Sequence, residues 1–364
     1  MFTIRIFIFL SLALMLVAAP AAKYTDTLQP GKAALLSAGP LAFGPEGILF
    51  VGDPMGASIF ALDTADTKPG KAAPVNITGI SDKIAALLGT TGDQILINDL
   101  AVNPISKRAY ISVARGRGPD AAPVVVRTDA SGKLETLSLD NIRHSRVALP
   151  NAPAPDAKDR RNQPLRLEAI TDLSFVDGNV IVAGLSNEEF ASNLRSIPFP
   201  FKEASAGTSV EIYHGQHGRF ETNSPVRTFT TWEVANQPHL LAAYTCTPLV
   251  KFPLADLKPG KKITGVTIAE LGNRNRPLDM IIYKKGGANY ILMNNSSRGV
   301  MKMPADKLES FTSITAQTEK QGVPYETLEG WKGVEQLDRY DEGNALMLVR
   351  QEGGSADLQS VALP

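Results

Sequence analysis

Asn179-Val-Ile-Val-Ala-Gly-Leu185 is a strongly apolar run that follows the turn Asp177-Gly178 and ends in the polar stretch Ser186-Asn-Glu-Glu189. Five runs of the same kind occur along the chain: Gly47-Ile-Leu-Phe-Val-Gly-Asp53, Arg108-Ala-Tyr-Ile-Ser-Val-Ala114, His239-Leu-Leu-Ala-Ala-Tyr-Thr245, Asn289-Tyr-Ile-Leu-Met-Asn-Asn295 and Ala345-Leu-Met-Leu-Val-Arg-Gln351. Short apolar runs bounded by Gly, Asn, Asp and Ser read as buried strands. Each leads through a loop into a further strand: Ser58 to Asp63, Val124 to Asp129, Leu194 to Phe199, Pro248 to Pro253, Gly299 to Pro304 and Leu358 to Leu363. A pair of such strands cannot close a core alone. Radial stacking buries both faces of every unit and protects the edges, so the repeat predicts an all-β, six-bladed β-propeller.

Weaker fourth strands follow at Val75 to Gly79, Leu134 to Leu139, Val210 to Tyr213 and Val266 to Leu271, with a vaguer one in 312–326. The sixth unit ends at Pro364 without one. Ala33-Ala-Leu-Leu-Ser37, upstream of the first unit, is therefore expected to supply the missing outer strand and close the ring. Residues 139–169, rich in Pro, Asn and Arg, read as an inserted loop, and Ser81 to Gly89 as one short helix.

The first 22 residues carry one positive charge at Arg5, an apolar run and small residues around Ala19 and Ala21, the pattern of a secretory signal. The expected organisation is a signal peptide at 1–21 and a single propeller domain over 22–364. A secreted or periplasmic monomer, off the membrane after cleavage, is anticipated. With 37 Lys+Arg against 37 Asp+Glu, the chain lacks the basic footprint of a nucleic-acid binder. One Cys excludes an internal disulfide framework and any Cys-cluster metal site.

Aligning the inner strands places Asp99, Asp172 and Asp279 at equivalent positions near the axis. Two readings follow. Like charges brought together call for a cation, a shared proton or a compensating Arg such as Arg227, and hard oxygen donors suit calcium. Alternatively each Asp caps its own turn through backbone amides. On the face where the inner strands begin, the connecting loops offer Asn187, Glu188, Tyr244, Asn295 and Arg298 as contacts for a small molecule or protein at the channel mouth. His214-Gly-Gln-His217 reads as a surface turn, and Cys246 as a buried inert thiol with only His239 as a conceivable partner.

Leu41-Ala-Phe-Gly-Pro-Glu-Gly-Ile-Leu-Phe-Val51, Asn98-Asp-Leu-Ala-Val-Asn-Pro104 and the segments Pro277 to Asp279 and Gly299 to Lys302 resemble the six-bladed calcium-dependent propellers of the gluconolactonase, senescence-marker-protein and paraoxonase superfamily. That resemblance implies a divalent cation held by Asn98, Asp172 and Asp279, polarising a lactone or ester carbonyl, with Asp172 the candidate base. Where the superfamily has a Glu at the start of its first inner strand, this chain has Pro40. Two function classes stay open: a non-catalytic exported scaffold, which is favoured, and a calcium-dependent hydrolase. A quinoprotein dehydrogenase fits less well, because two Trp cannot form a repeated docking motif.

Overall fold

In the computed structural model, which describes residues 23–129, 131–246 and 248–364, all six units form antiparallel sheets arranged as a β-propeller. The signal-peptide expectation lies outside the described residues. Among those described, no helix is long and apolar enough to cross a membrane.

Blade I has Leu41–Phe43 innermost, then Ile48–Asp53 and Ser58–Asp63. Blade II runs outward through Ile95–Val102, Ala109–Arg115, Ala122–Thr128 and Leu134–Thr136. Blade III comprises Asp172–Val176, Asn179–Leu185, Ser192–Pro198 and Thr208–His214, and blade IV Thr228–Val234, Gln237–Ala243, Pro248–Pro253 and Val266–Glu270. Blade V comprises Pro277–Lys285, Ala288–Asn295, Gly299–Pro304 and Glu326–Thr327, and blade VI begins with Val334–Arg339, Asn344–Arg350 and Ala356–Ala362.

The second strands are apolar on both faces because each lies between two neighbouring blades. Val180 and Val182 pack toward blade I, with Phe50 and Leu173, whereas Ile181 and Ala183 pack toward blade IV, with Leu240 and Ala242. Six hydrophobic clusters fill the wedges, and they fix the order of the ring. They join I with II through Leu49 and Tyr110, II with VI through Ile111 and Leu348, and VI with V through Met347 and Leu292. The others join V with IV, IV with III, and III with I. The ring therefore reads I, III, IV, V, VI, II. Blades II and III, consecutive in the chain, are not neighbours.

Two long crossings produce this order, and both correct the sequence expectations. After Asp63 the chain runs along blade II rather than folding back on blade I. Buried Asp66 anchors it there, accepting hydrogen bonds from Asn103, Ser106 and Tyr110 of blade II. Asn76–Ile77 then pairs with Gln359 and Leu358, so the strand expected to complete blade I completes blade VI. The helix Ile80–Leu87 follows, packed in the wedge between blades VI and II.

The second crossing lies in 139–169, the stretch read from sequence as an inserted loop. Ile142–Ala148 is a strand there, pairing with Ser58–Leu62 as the outer strand of blade I. Its register buries Ile142 and Val147 while arginines between them face outward, which disguises the alternation. Gln29–Gly31 adds a short edge outside it. Residues 33–37 form no strand and do not close the ring; the amides of Leu36 and Ser37 bond to the Asp53 carboxylate instead.

A candidate ligand channel with latched aspartates

The inner strands surround a central cavity of about 850 Å³. Asp99, Asp172 and Asp279 line it as aligned from the sequence, and Asp338 of blade VI joins them. Asp338 stands two residues beyond Gln336, the residue that follows the register slip of its strand as Asp99 and Asp279 follow theirs.

What these carboxylates do is decided by their hydrogen bonds. Asp99 of blade II accepts from the amide of Leu41 in blade I at 2.6 Å, and Asp172 of blade III from that of Phe229 in blade IV at 2.8 Å. Asp279 of blade V accepts from Leu337 in blade VI, and Asp338 of blade VI from Val102 in blade II, both at 2.7 Å. Four of the six seams thus carry one latch each, from an inner-strand carboxylate to the next blade's backbone. The second oxygen of Asp99, Asp172 and Asp338 accepts the amide of the following residue, Leu100, Leu173 and Arg339. This is the capping role, extended across blade boundaries.

The groups are half-buried at the wall of a deep channel, and that desolvation disfavours their charged forms. Burial raises Asp172 to about 7 and Asp338 to about 6. It holds Asp99 and Asp279 well above the usual carboxylate range, where their mutual repulsion reinforces it and the latch amides oppose it. All four carboxyls therefore hold their protons more readily than free aspartates do.

Calcium takes about six to eight oxygens at roughly 2.3–2.6 Å. Among the described residues, no three of these aspartates bring ligand oxygens within 4.8 Å of one another. Nor does Asn98 turn toward them, since its Nδ2 donates to the Ala38 carbonyl at 2.7 Å. The donor set matches calcium poorly.

The cavity has further lining residues. Lys107, Tyr340, Asp341 and Glu342 belong to the turns after the inner strands of blades II and VI, Arg339 ends blade VI's inner strand, and Trp232 lies near the end of blade IV's inner strand. The lining runs from the aspartates to the far ends of the inner strands, and none of the five loop residues singled out from the sequence belongs to it. Those residues are occupied elsewhere: Glu188 bonds Asn151 and Ser209, buried Asn295 bonds Asn275, and Arg298 donates to the Asn273 carbonyl. Tyr244 is buried in the wedge between blades III and IV, and the Asn187 amide donates to the Asn151 carbonyl.

No family model and no curated protein matches the chain. Among solved structures it is similar to the PQQ-bound aldose sugar dehydrogenase of Streptomyces coelicolor, at 10% identity over 94% of this chain and 99% of that one, with a TM-score of 0.38. It is also similar to a glucose dehydrogenase-like oxidoreductase of Thermus thermophilus, at 11% identity over 92% and 100%, TM-score 0.31. A chain of the mitotic checkpoint complex aligns at 10% identity over 99% of both chains, TM-score 0.37. Likeness at this level carries nothing about chemistry.

Proposed function

We propose that the protein is an exported, non-catalytic propeller that binds a small, hydroxyl-rich ligand in its central channel. The observation that carries this reading is the latch arrangement, which commits the channel carboxylates to the frame. The cavity lies within the roughly 300–1,000 Å³ common for ligand sites. Ser174, Thr228, Thr230 and Thr231 add hydroxyls to its wall, and partly protonated carboxyls both donate and accept hydrogen bonds. Such a lining suits a neutral polyol better than an anion.

A calcium-dependent lactonase or esterase of the gluconolactonase type is the second reading. It draws on Asp279 Oδ1, to which no hydrogen bond among the described residues is assigned, and on Asp172, whose raised pKa suits a base working near neutrality.

Thermal unfolding of chelator-treated protein with calcium, or with a panel of monosaccharides and sugar alcohols, separates the two. A ligand at a hundredfold excess over its Kd adds about 2.7 kcal/mol of stability. A polyol-dependent rise in Tm that Ser174→Phe abolishes supports the channel. A calcium-dependent rise that Asp279→Asn abolishes would replace the scaffold reading with the hydrolase.

A further inference from the structure

A second cluster lies away from the channel, at the outer part of the seam between blades III and IV. His214 ends the fourth strand of blade III, and the single helical turn Gly215–His217 carries His217 round beside it. Cys246 sits in the loop between the second and third strands of blade IV. The chain separates the histidines from the cysteine, yet donor atoms of all three lie within 4.8 Å of one another. The two imidazole centroids are 4.0 Å apart.

Glu221 decides which imidazole nitrogens are free. It accepts from Nδ1 of His214 at 2.9 Å and from Nδ1 of His217 at 2.6 Å. A proton on Nδ1 leaves the Nε2 lone pair available in the neutral ring. His214 is only 2% exposed, and its Nε2 has no hydrogen-bond partner. A buried imidazole nitrogen without a partner costs free energy unless something occupies it. Carboxylates that fix Nδ1 and thereby direct Nε2 are the habitual supports of metal-binding histidines. The Cys246 amide is tied to the Asn275 carbonyl, which fixes the backbone that carries the thiol.

We propose that His214, His217 and Cys246 form a binding site for a thiophilic first-row metal ion, zinc foremost, with Glu221 as the positioning residue. One thiolate and two imidazoles supply three ligands of a tetrahedral set and leave the fourth position to water. Tetrahedral zinc holds such atoms about 3.4–3.6 Å apart, within reach of small side-chain rotations from the present separation. His217 is exposed and gives the ion its way in. This site is independent of the channel reading.

Cobalt(II) in place of zinc provides the test, because a thiolate ligand produces a near-ultraviolet charge-transfer band. The full-length protein should bind one cobalt per chain with that band, and zinc should displace it. Cys246→Ser should abolish the band. His217→Ala, at an exposed position where folding is not at stake, should weaken binding at least tenfold, and Glu221→Gln by about 10–100-fold. Absence of the band in the wild type, or its persistence at full affinity in Cys246→Ser or His217→Ala, would overturn the proposal.

Discussion

Blades II to V and blades I and VI are made of similar strands strung in different ways. In II, III, IV and V, four strands step outward in chain order before the next blade begins. Blade I instead borrows its outer strand from beyond blade II, and blade VI takes its own from between blades I and II. Wedge packing is nevertheless the same throughout. Neighbouring blades need complementary apolar faces, and four of the six seams add a latch; neither feature depends on which loop connects the blades. Chain order in a propeller is thus separable from ring order.

The largest expected effect tests the long-range seam directly. In a Cys246→Ser background, a disulfide joining Asn76→Cys with Gln359→Cys should stabilise far more than one joining Lys302→Cys with Glu326→Cys within blade V. Loop-closure entropy gives about 5.6 kcal/mol for the first and about 3.5 kcal/mol for the second. Oxidised and reduced forms compared by urea unfolding measure both gains. Equal gains would mean that the N-terminal crossing is not held by blade VI.

The next effect concerns the channel. Asp172 has a folded pKa of about 7 against 3.8 for the free group, so the folded state keeps a proton that the unfolded chain has lost. Its stabilising contribution is complete below pH 4 and disappears as the pH rises through 7. At about 1.4 kcal/mol per pKa unit, the loss is up to about 4 kcal/mol. Asp172→Asn should flatten this part of the stability profile measured between pH 4 and 8.

Smaller effects compare the latches themselves. Asp338→Ala breaks one at the seam of VI with II, and Asp279→Ala one at the chain-ordered seam of V with VI. Each strands an amide of a buried residue, at about 1–3 kcal/mol. Similar losses in urea midpoints would show the device working without regard to connectivity. Smallest of all, Lys32→Ala removes an exposed pair with Asp140 near the crossing and should leave Tm unchanged.

The second and third strands of all six blades were legible because burial on both faces forces an apolar run. Pro248–Pro253 and Asn179–Leu185 fall where the sequence places them. Outer strands carry no such mark. Asn76–Ile77 is short and incompletely buried, and only proximity along the chain suggested its partner. Three channel aspartates were readable from strand alignment, whereas Asp338 lies two residues beyond the aligned position of its strand and was not. The histidine and cysteine cluster escaped because its halves lie in different blades; the nearby Glu221 was the available hint.

Leu358 follows its partner Ile77 by 281 residues and is synthesised long after it. A chain delivered from its N-terminus can assemble the wedges of blades III, IV and V as they emerge. The crossing segment has to wait. For most of that interval its edge is open to chaperones, to proteases or to a second chain, and a product terminated shortly before residue 356 would retain most of its blades with the seam unsealed. Sealing this seam therefore depends on the strand Ala356–Ala362, which occupies the edge that residues 76–77 present.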